Sequence, residues 1–124
     1  MSSDSGRAIW SLIREAELEQ TVRAAEGTYS IFCDAAQLEQ IALFHKALGD
    51  RTRLKAIGVL FFHDMCLCQL VEGLQVPTST MNHHLQVLEK GGVIQGRREG
   101  KYTVYSLRSE HREHLRLLLE GQSL

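Results

Sequence analysis

The sequence contains one proline, three cysteines and 6% aromatic residues. A single proline leaves little to interrupt helices. Three cysteines are too few for a disulfide-stapled secreted scaffold, and in a reducing compartment they stay as thiols. No apolar run reaches membrane-spanning length, and the N-terminus lacks the apolar core of a signal peptide. The expected location is therefore cytoplasmic, with no membrane partner. Excess positive charge is missing too, since the formal net charge is -1. A nucleic-acid partner then requires cations gathered on one face, or two copies of the chain doubling a few phosphate contacts. Internal repeats and low-complexity linkers are absent.

What is present is a chain of 124 residues with 44% hydrophobic content, enough for one domain of modest core. Abundant Leu, Ala, Glu and Gln favour helix. A helix is expected over residues 5–26, with Ile9, Leu12, Ile13 and Ala16 as one stripe and Leu18, Val22 and Ala25 continuing it out of phase. Gly27 is a natural stop. Residues 1–33 are read as a helical extension that either packs on a partner protomer, anchored by Trp10, or docks loosely. The domain proper spans 34–124. It opens with Asp34-Ala35-Ala36-Gln37, close to a capping box, and a helix through Leu38, Ile41, Ala42, His45 and Leu48. Asp50 caps the next helix, with Leu54, Ile57, Leu60 and Phe61 inward. A terminal helix over about 109–120 buries Leu115, Leu118 and Leu119.

Between these lies a helix-turn-helix pattern. Leu67, Leu70, Val71 and Leu74 form one buried stripe, and Met81, Leu85 and Leu88 another with His84 on the same side. A turn after Gly73 and Pro77 separates them. Thr78, Ser79 and Thr80 offer N-cap oxygens to the second helix. His83 points outward with Ser79, Asn82 and Gln86, and Asn and Gln can pair with adenine edges in a major groove. Val93–Arg98 and Lys101–Leu107 then read as two strands joined by a tight turn at Glu99-Gly100. Arg97, Arg98 and Lys101 crowd the tip of this hairpin. A basic hairpin behind a recognition helix is the layout of a winged helix-turn-helix, so the fold expected is mainly α with a small β-hairpin. The candidate DNA contacts are Thr78, Ser79, Thr80, Asn82, His83, Gln86, Arg97, Arg98 and Lys101.

Cys66 and Cys68 stand at the head of the first of these two helices. Asp64 is the expected cap, so both thiols fall in a first turn where backbone N–H groups and the helix dipole favour thiolate. Successive helical residues turn by about 100°, which rotates each cysteine to an opposite flank of the Leu67 stripe. Neither is then a core residue, and one ion cannot reach both unless the first turn rewinds. A disulfide between i and i+2 would be strained.

Four segments carry a family resemblance. Ala47-Leu48-Gly49-Asp50-Arg51-Thr52-Arg53-Leu54 resembles the "aLaDptRl" box of the ArsR/SmtB metal-responsive repressors. Asp64-Met65-Cys66-Leu67-Cys68-Gln69-Leu70 resembles their "ELCVCDL" metal box, Asn82-His83-His84-Leu85 their "SxHL", and Gly100-Lys101-Tyr102-Thr103-Val104-Tyr105 their "GkxvyY" wing. The match runs from about residue 34 to 121. It implies a homodimer, paired through the helix at Asp34 and the terminal helix, that binds double-stranded operator DNA and releases it when an ion occupies the thiols. Soft thiolates suit As(III) or Sb(III), which favour three in a pyramid, and Cd(II), Pb(II) or Zn(II), which take three or four donors. Some members carry a third Cys three residues after the pair, where this chain has Val71. Others supply one from before the core, where Cys33 is the candidate here, with His63 a possible fourth donor. Of the second family site, on the terminal helices, His111 matches one ligand and Ser109 stands in place of another. His111 and His114 are otherwise surface residues. A second reading keeps the DNA function and makes the thiols a redox or sulfur sensor, oxidised between Cys33 and the pair. An enzyme is not expected, because no partner His or Gly-rich phosphate loop accompanies the cysteines.

Overall fold

The computed structural model describes residues 12–121. The chain divides into two compact units that meet at Leu38 and Glu39. In the first, helix α1 (Glu15–Thr28) begins after Arg14, whose backbone N–H donates to Glu17 Oε1 at 3.2 Å. Of the helix expected over 5–26, residues 15–26 are helical and the helix runs on to Thr28. Leu12–Arg14 are not helical, Gly27 lies inside the helix, and Ile9 and Trp10 fall outside the described residues. None of the residues of α1 is buried. A 3₁₀ turn, Ser30–Cys33, leads to Asp34, whose carboxylate accepts the Gln37 N–H at 3.0 Å and starts helix α2 (Ala35–Leu48).

In the second unit α2 continues, followed by α3 (Arg51–Leu60), strand β1 (Met65–Cys66), α4 (Leu67–Leu74), α5 (Thr78–Lys90), β2 (Ile94–Glu99), β3 (Tyr102–Leu107), a 3₁₀ turn at Ser109–His111, and α6 (Arg112–Leu119). Ile57, Leu60, Leu70, Met81, Leu85, Leu88, Val93, Ile94 and Leu115 form the buried core. Leu67, Val71 and Leu74 pack against it, so both stripes of the helix-turn-helix face inward as expected. On α2 the buried residues are Phe44 and Ala47, whereas Leu38 and Ile41 are 40% and 42% exposed. The helix has two apolar faces, and the stripe traced through Leu38, Ile41 and His45 is the outer one. On α6 Leu115 is buried and Leu118 partly so, but Leu119 remains 40% exposed.

Local chemistry explains the joints. Helix α4 continues past Gly73 to Leu74, and the turn falls at Gln75, which adopts a left-handed conformation (φ 55°) and donates its N–H to Val71 O. Pro77 rather than a hydroxyl residue is the N-cap of α5, without a side-chain cap bond. Gly91 ends α5 where a Cβ would lie 2.7 Å from Leu43 O, so only glycine lets α2 pass this close. In the wing Glu99 pairs with Tyr102, which moves the tight turn to Gly100-Lys101, with Gly100 at φ 64°. The hairpin gains a third strand that periodicity does not reveal. Two-residue β1 pairs antiparallel with β3, giving the order β1-β3-β2.

Candidate nucleic-acid interface and thiol site

The second helix of the pair is held by a polar knot. Arg53 is 9% exposed. Its Nε donates to Ala47 O at 2.9 Å, its Nη2 to Lys46 O at 3.0 Å and its Nη1 to His84 Nδ1 at 3.0 Å. Two of these acceptors are carbonyls of the last turn of α2, a helix end that favours a cation; Lys46 O also accepts the Gly49 N–H at 3.1 Å. Asp50 caps α3 by accepting the Arg53 N–H at 3.1 Å, and its Oδ2 lies 3.8 Å from His84 Nε2. One guanidinium thereby ties α2, α3 and α5 together. Arg53 is not singled out by the helix-turn-helix pattern. The available signal is its spacing, because residues 53, 57 and 60 share one buried stripe of α3.

Burial pushes the His84 imidazole below its ordinary value of 6.5; Asp50 opposes this, while Arg53 and His83 add to it. The unfolded chain then takes up the proton more readily than the folded one. This contribution to stability is complete above about pH 6.5 and is lost as pH falls toward the depressed folded value. Melts recorded from about pH 7.5 down to about pH 5 are expected to show His84→Gln with a flatter decline than the native chain. Equal slopes for the two proteins would remove His84 as the cause.

With Met81, His84 and Leu85 turned inward, α5 presents Thr78, Ser79, Thr80, Asn82, His83 and Gln86 to solvent. These are the side chains expected to meet DNA. Arg97, Arg98 and Lys101 are exposed on the wing but differ in their surroundings. Arg97 is engaged by two carboxylates, Glu99 at 2.6 Å and Asp64 at 2.9 Å. Arg98 donates only to Gly100 O, at 3.4 Å, and Lys101 lies over the Tyr102 ring at 5.8 Å. Among the described residues neither forms an ion pair.

The thiols depart from the helical expectation. Cys66 lies in β1 with extended backbone (φ -87°, ψ 171°) and is itself the N-cap of α4. Its N–H donates to Gln69 Oε1 at 3.1 Å, and its sulfur faces the Gln69 N–H in a capping box. Asp64, the expected cap, is turned toward Arg97 instead. Because Cys66 is pulled into the sheet, the two thiols are not on opposite flanks. Their sulfurs are 3.1 Å apart. The Cys68 thiol holds Cys66 below the usual thiol range, assisted by the Gln69 backbone N–H, and the same sulfur contact holds Cys68 above it. Cys66 is therefore the first to ionise. It also shares a cross-strand row with the wing: Cys66 and Arg97 both pair with Val104, one from each side.

The other candidate donors lie on different elements. Cys33 is exposed at the end of its 3₁₀ turn, and His63 is exposed in the α3–β1 loop. His111 and His114 flank the Phe44 ring, at 4.5 and 6.2 Å between centroids. Among the described residues no three His, Cys, Asp or Glu side chains of one chain are grouped to hold a metal ion.

This architecture defines a winged helix-turn-helix domain, and comparison with known proteins agrees. Residues 50–95 match the family described as bacterial regulatory protein, arsR family. An uncharacterised HTH-type transcriptional regulator of Methanocaldococcus jannaschii, MJ1325, is 38% identical over 68 residues, 54% of this chain and 76% of that protein. A homologue of the cadmium resistance transcriptional regulatory protein CadC from Staphylococcus aureus is 38% identical over 76 residues, 60% of this chain and 63% of its own. Among solved structures, the homodimeric winged helix-turn-helix DNA-binding domain of Mb0332 from Mycobacterium bovis superposes with a TM-score of 0.64 at 28% identity, covering 72% of this chain and 82% of that one. The chain belongs to the ArsR family, a family of DNA-binding transcriptional regulators. No described helix is long and apolar enough to cross a membrane.

Proposed function

We propose that the chain is a metal- or metalloid-responsive repressor. It binds operator DNA as a homodimer and leaves it when As(III), Sb(III) or a similar soft ion binds the cysteine thiolates. The observation that carries this reading is the convergence of the Cys66 and Cys68 sulfurs to 3.1 Å at the foot of the wing sheet. Soft ions prefer thiolate donors, which keeps Pb(II) and Zn(II) among the candidates, and the cadmium-resistance name of a relative supports Cd(II). Cys33, exposed in the chain, is the proposed third donor, from the same chain or from the second copy. Release requires only that the ion bind the DNA-free state more tightly. The Arg97–Asp64 ion pair and the Cys66–Val104–Arg97 row connect the thiols to the wing, so ligation has a short route to the DNA contacts. The test is anaerobic titration of reduced protein on a fluorescent operator selected from randomised duplexes. As(III), Sb(III), Cd(II), Pb(II), Zn(II) and Ni(II) are compared. Release by a soft ion supports the reading; retention under all six ions, with release by an oxidant, replaces it with the thiol-redox sensor that three exposed or half-exposed cysteines also permit.

The two wing cations without carboxylate partners carry the phosphate contacts. Arg98→Ala and Lys101→Ala should each weaken operator and random DNA alike and lower the salt slope by about one. Arg97→Ala should change the slope less, since Glu99 and Asp64 already offset its charge. Asn82→Ala should instead blur sequence preference. A salt slope unchanged in both Arg98 and Lys101 variants would take the wing off the DNA.

Dimerisation uses the outer face of α2. Leu38 and Ile41 are apolar and exposed there, and the charge of -1 leaves a lone domain few phosphate contacts. Sedimentation at micromolar concentration should give a dimer, and Ile41→Glu a monomer with operator affinity lower by at least about tenfold. A native monomer that binds its operator tightly would overturn this.

A further inference from the structure

The outward stripe of α5 runs further than its candidate DNA contacts. At about 100° per residue, Lys90 falls about 20° from His83 and about 40° from Gln86, so it continues their line. Beside that line His83, Gln86, Val87, Glu89 and Lys90 share an open hollow of about 660 Å³ with Lys46 of α2. Both lysines are exposed. Among the described residues neither forms an ion pair. The carboxylate of Glu89 is directed at the wing sheet, with Oε2 3.4 Å from where a Cβ on Gly96 would stand. The scaffold fixes both sides of the hollow. Arg53 donates to Lys46 O at 3.0 Å and to His84 Nδ1 at 3.0 Å, so the α2 lysine and the neighbour of His83 are tied to one guanidinium. Around α5, His84 lies about 120° to one side of Lys90 and Glu89 about 100° to the other. Helix α2 and the wing therefore border the outward stripe on opposite edges.

We infer that Lys46 and Lys90 form a second phosphate-binding site, on the edge of the recognition helix opposite the wing, which holds the DNA backbone between the two half-sites of the operator. The inference rests on the reading of the chain as a dimeric operator binder and adds contacts to it. The formal net charge is -1, yet free cations stand on both edges of one helix: Arg98 and Lys101 on the wing, Lys46 and Lys90 toward α2. A duplex entered by α5 offers a phosphate strand to each edge, because the helix lies between the two walls of the major groove. The dimer places the second site. Lys46 lies about 7.5 Å along α2 from Ile41, a residue of the proposed dimer face, so it sits toward the two-fold axis, and the wing points to the outer flank. Phosphate contacts of this kind fix register without reading sequence. The Arg53 knot gains a second task, since it holds Lys46 and the reading face of α5 in one alignment.

The experiment is a salt titration of the reduced full chain on the operator selected from randomised duplexes and on a random duplex. Lys46→Gln and Lys90→Gln change exposed side chains and should fold normally. Each should lower the salt slope by about one per protomer, on both duplexes alike. Between about 50 mM and about 200 mM salt, the affinity of the double variant should fall about tenfold less per protomer than that of the native chain. Lys46→Arg should keep the native slope, because the charge is retained. A second measurement locates the contact. Operators carry neutral methylphosphonates either between the half-sites or at the outer flanks. Neutral central phosphates should abolish the difference between native chain and double variant and leave the effect of Lys101→Ala intact. The inference is overturned if the double variant keeps the native slope, or if flank phosphates rather than central ones abolish its effect. In either case native binding to the operator stands, and only the second site falls. A native chain that selects no duplex at all removes the operator reading, and the second site with it.

Discussion

Cys66→Ser and Cys68→Ser should each bind operator DNA as the native chain does and fail to release it when arsenite is added. The fold tolerates both changes for different reasons. Cys66 is the N-cap of α4, a position where serine is among the favoured residues. Its hydroxyl can accept the Gln69 N–H that the sulfur now faces. Cys68 is exposed, and a substitution there costs at most about 0.5 kcal/mol. Neither side chain belongs to the candidate DNA surface. The ligand effect is of another size. A coupling of ordinary strength lowers operator affinity about 5- to 150-fold, and with one sulfur of the pair replaced that fall should vanish. Anisotropy of labelled operator during arsenite titration of each reduced variant is the measurement. Release of both variants at the native arsenite concentration would make the thiol mechanism untenable.

Arg53→Ala should have the largest effect on stability, a loss of about 3 kcal/mol. The guanidinium satisfies two carbonyls at the end of α2 and the Nδ1 of His84 within a largely buried space. Deleting it strands Ala47 O and His84 Nδ1, whose bonds to it are buried, while Lys46 O keeps the Gly49 N–H. For a domain of this size, the melting temperature should fall by roughly 10–20 °C. Arg53→Lys should recover little, because one ammonium cannot reproduce the planar fork that reaches three acceptors. Urea denaturation provides the measurement, and a loss below about 1 kcal/mol would show that the knot is decorative. Because His84 sits between Met81 and Leu85 on α5, the surviving folded fraction should also read DNA sequence less sharply.

Strong periodicity made the second unit legible before its structure. Leu67, Leu70, Val71 and Leu74, and then Met81, Leu85 and Leu88, point inward as their spacing implies, and the wing strands differ from expectation at the turn and by one residue at the start of β2. The sequence was silent where long-range pairing decides the outcome. Cys66 leaves the helix because β1 pairs with β3, and two residues carry no period. Asp64 looks like a cap in isolation, yet it is taken by Arg97, 33 positions away. That contact, with Glu99, also alters the reading of the basic wing, since one of its three cations is already neutralised locally. Helix α2 misleads for a different reason. It has two apolar faces, and composition does not say which is inside.

The cross-strand row Cys66–Val104–Arg97 also constrains how such a sensor can be moved or varied. Side chains alternate between the two faces of a sheet with a period of two. Lengthening the α3–β1 loop by one residue could leave both motifs intact in the sequence. Were the strand to slip by one residue to absorb it, Cys66 would turn to the opposite face, and its alignment with Arg97 would be broken. The dithiol is therefore not a portable cassette. Grafting it onto another winged helix would need the ladder to arrive in phase, a requirement that motif matching alone does not see.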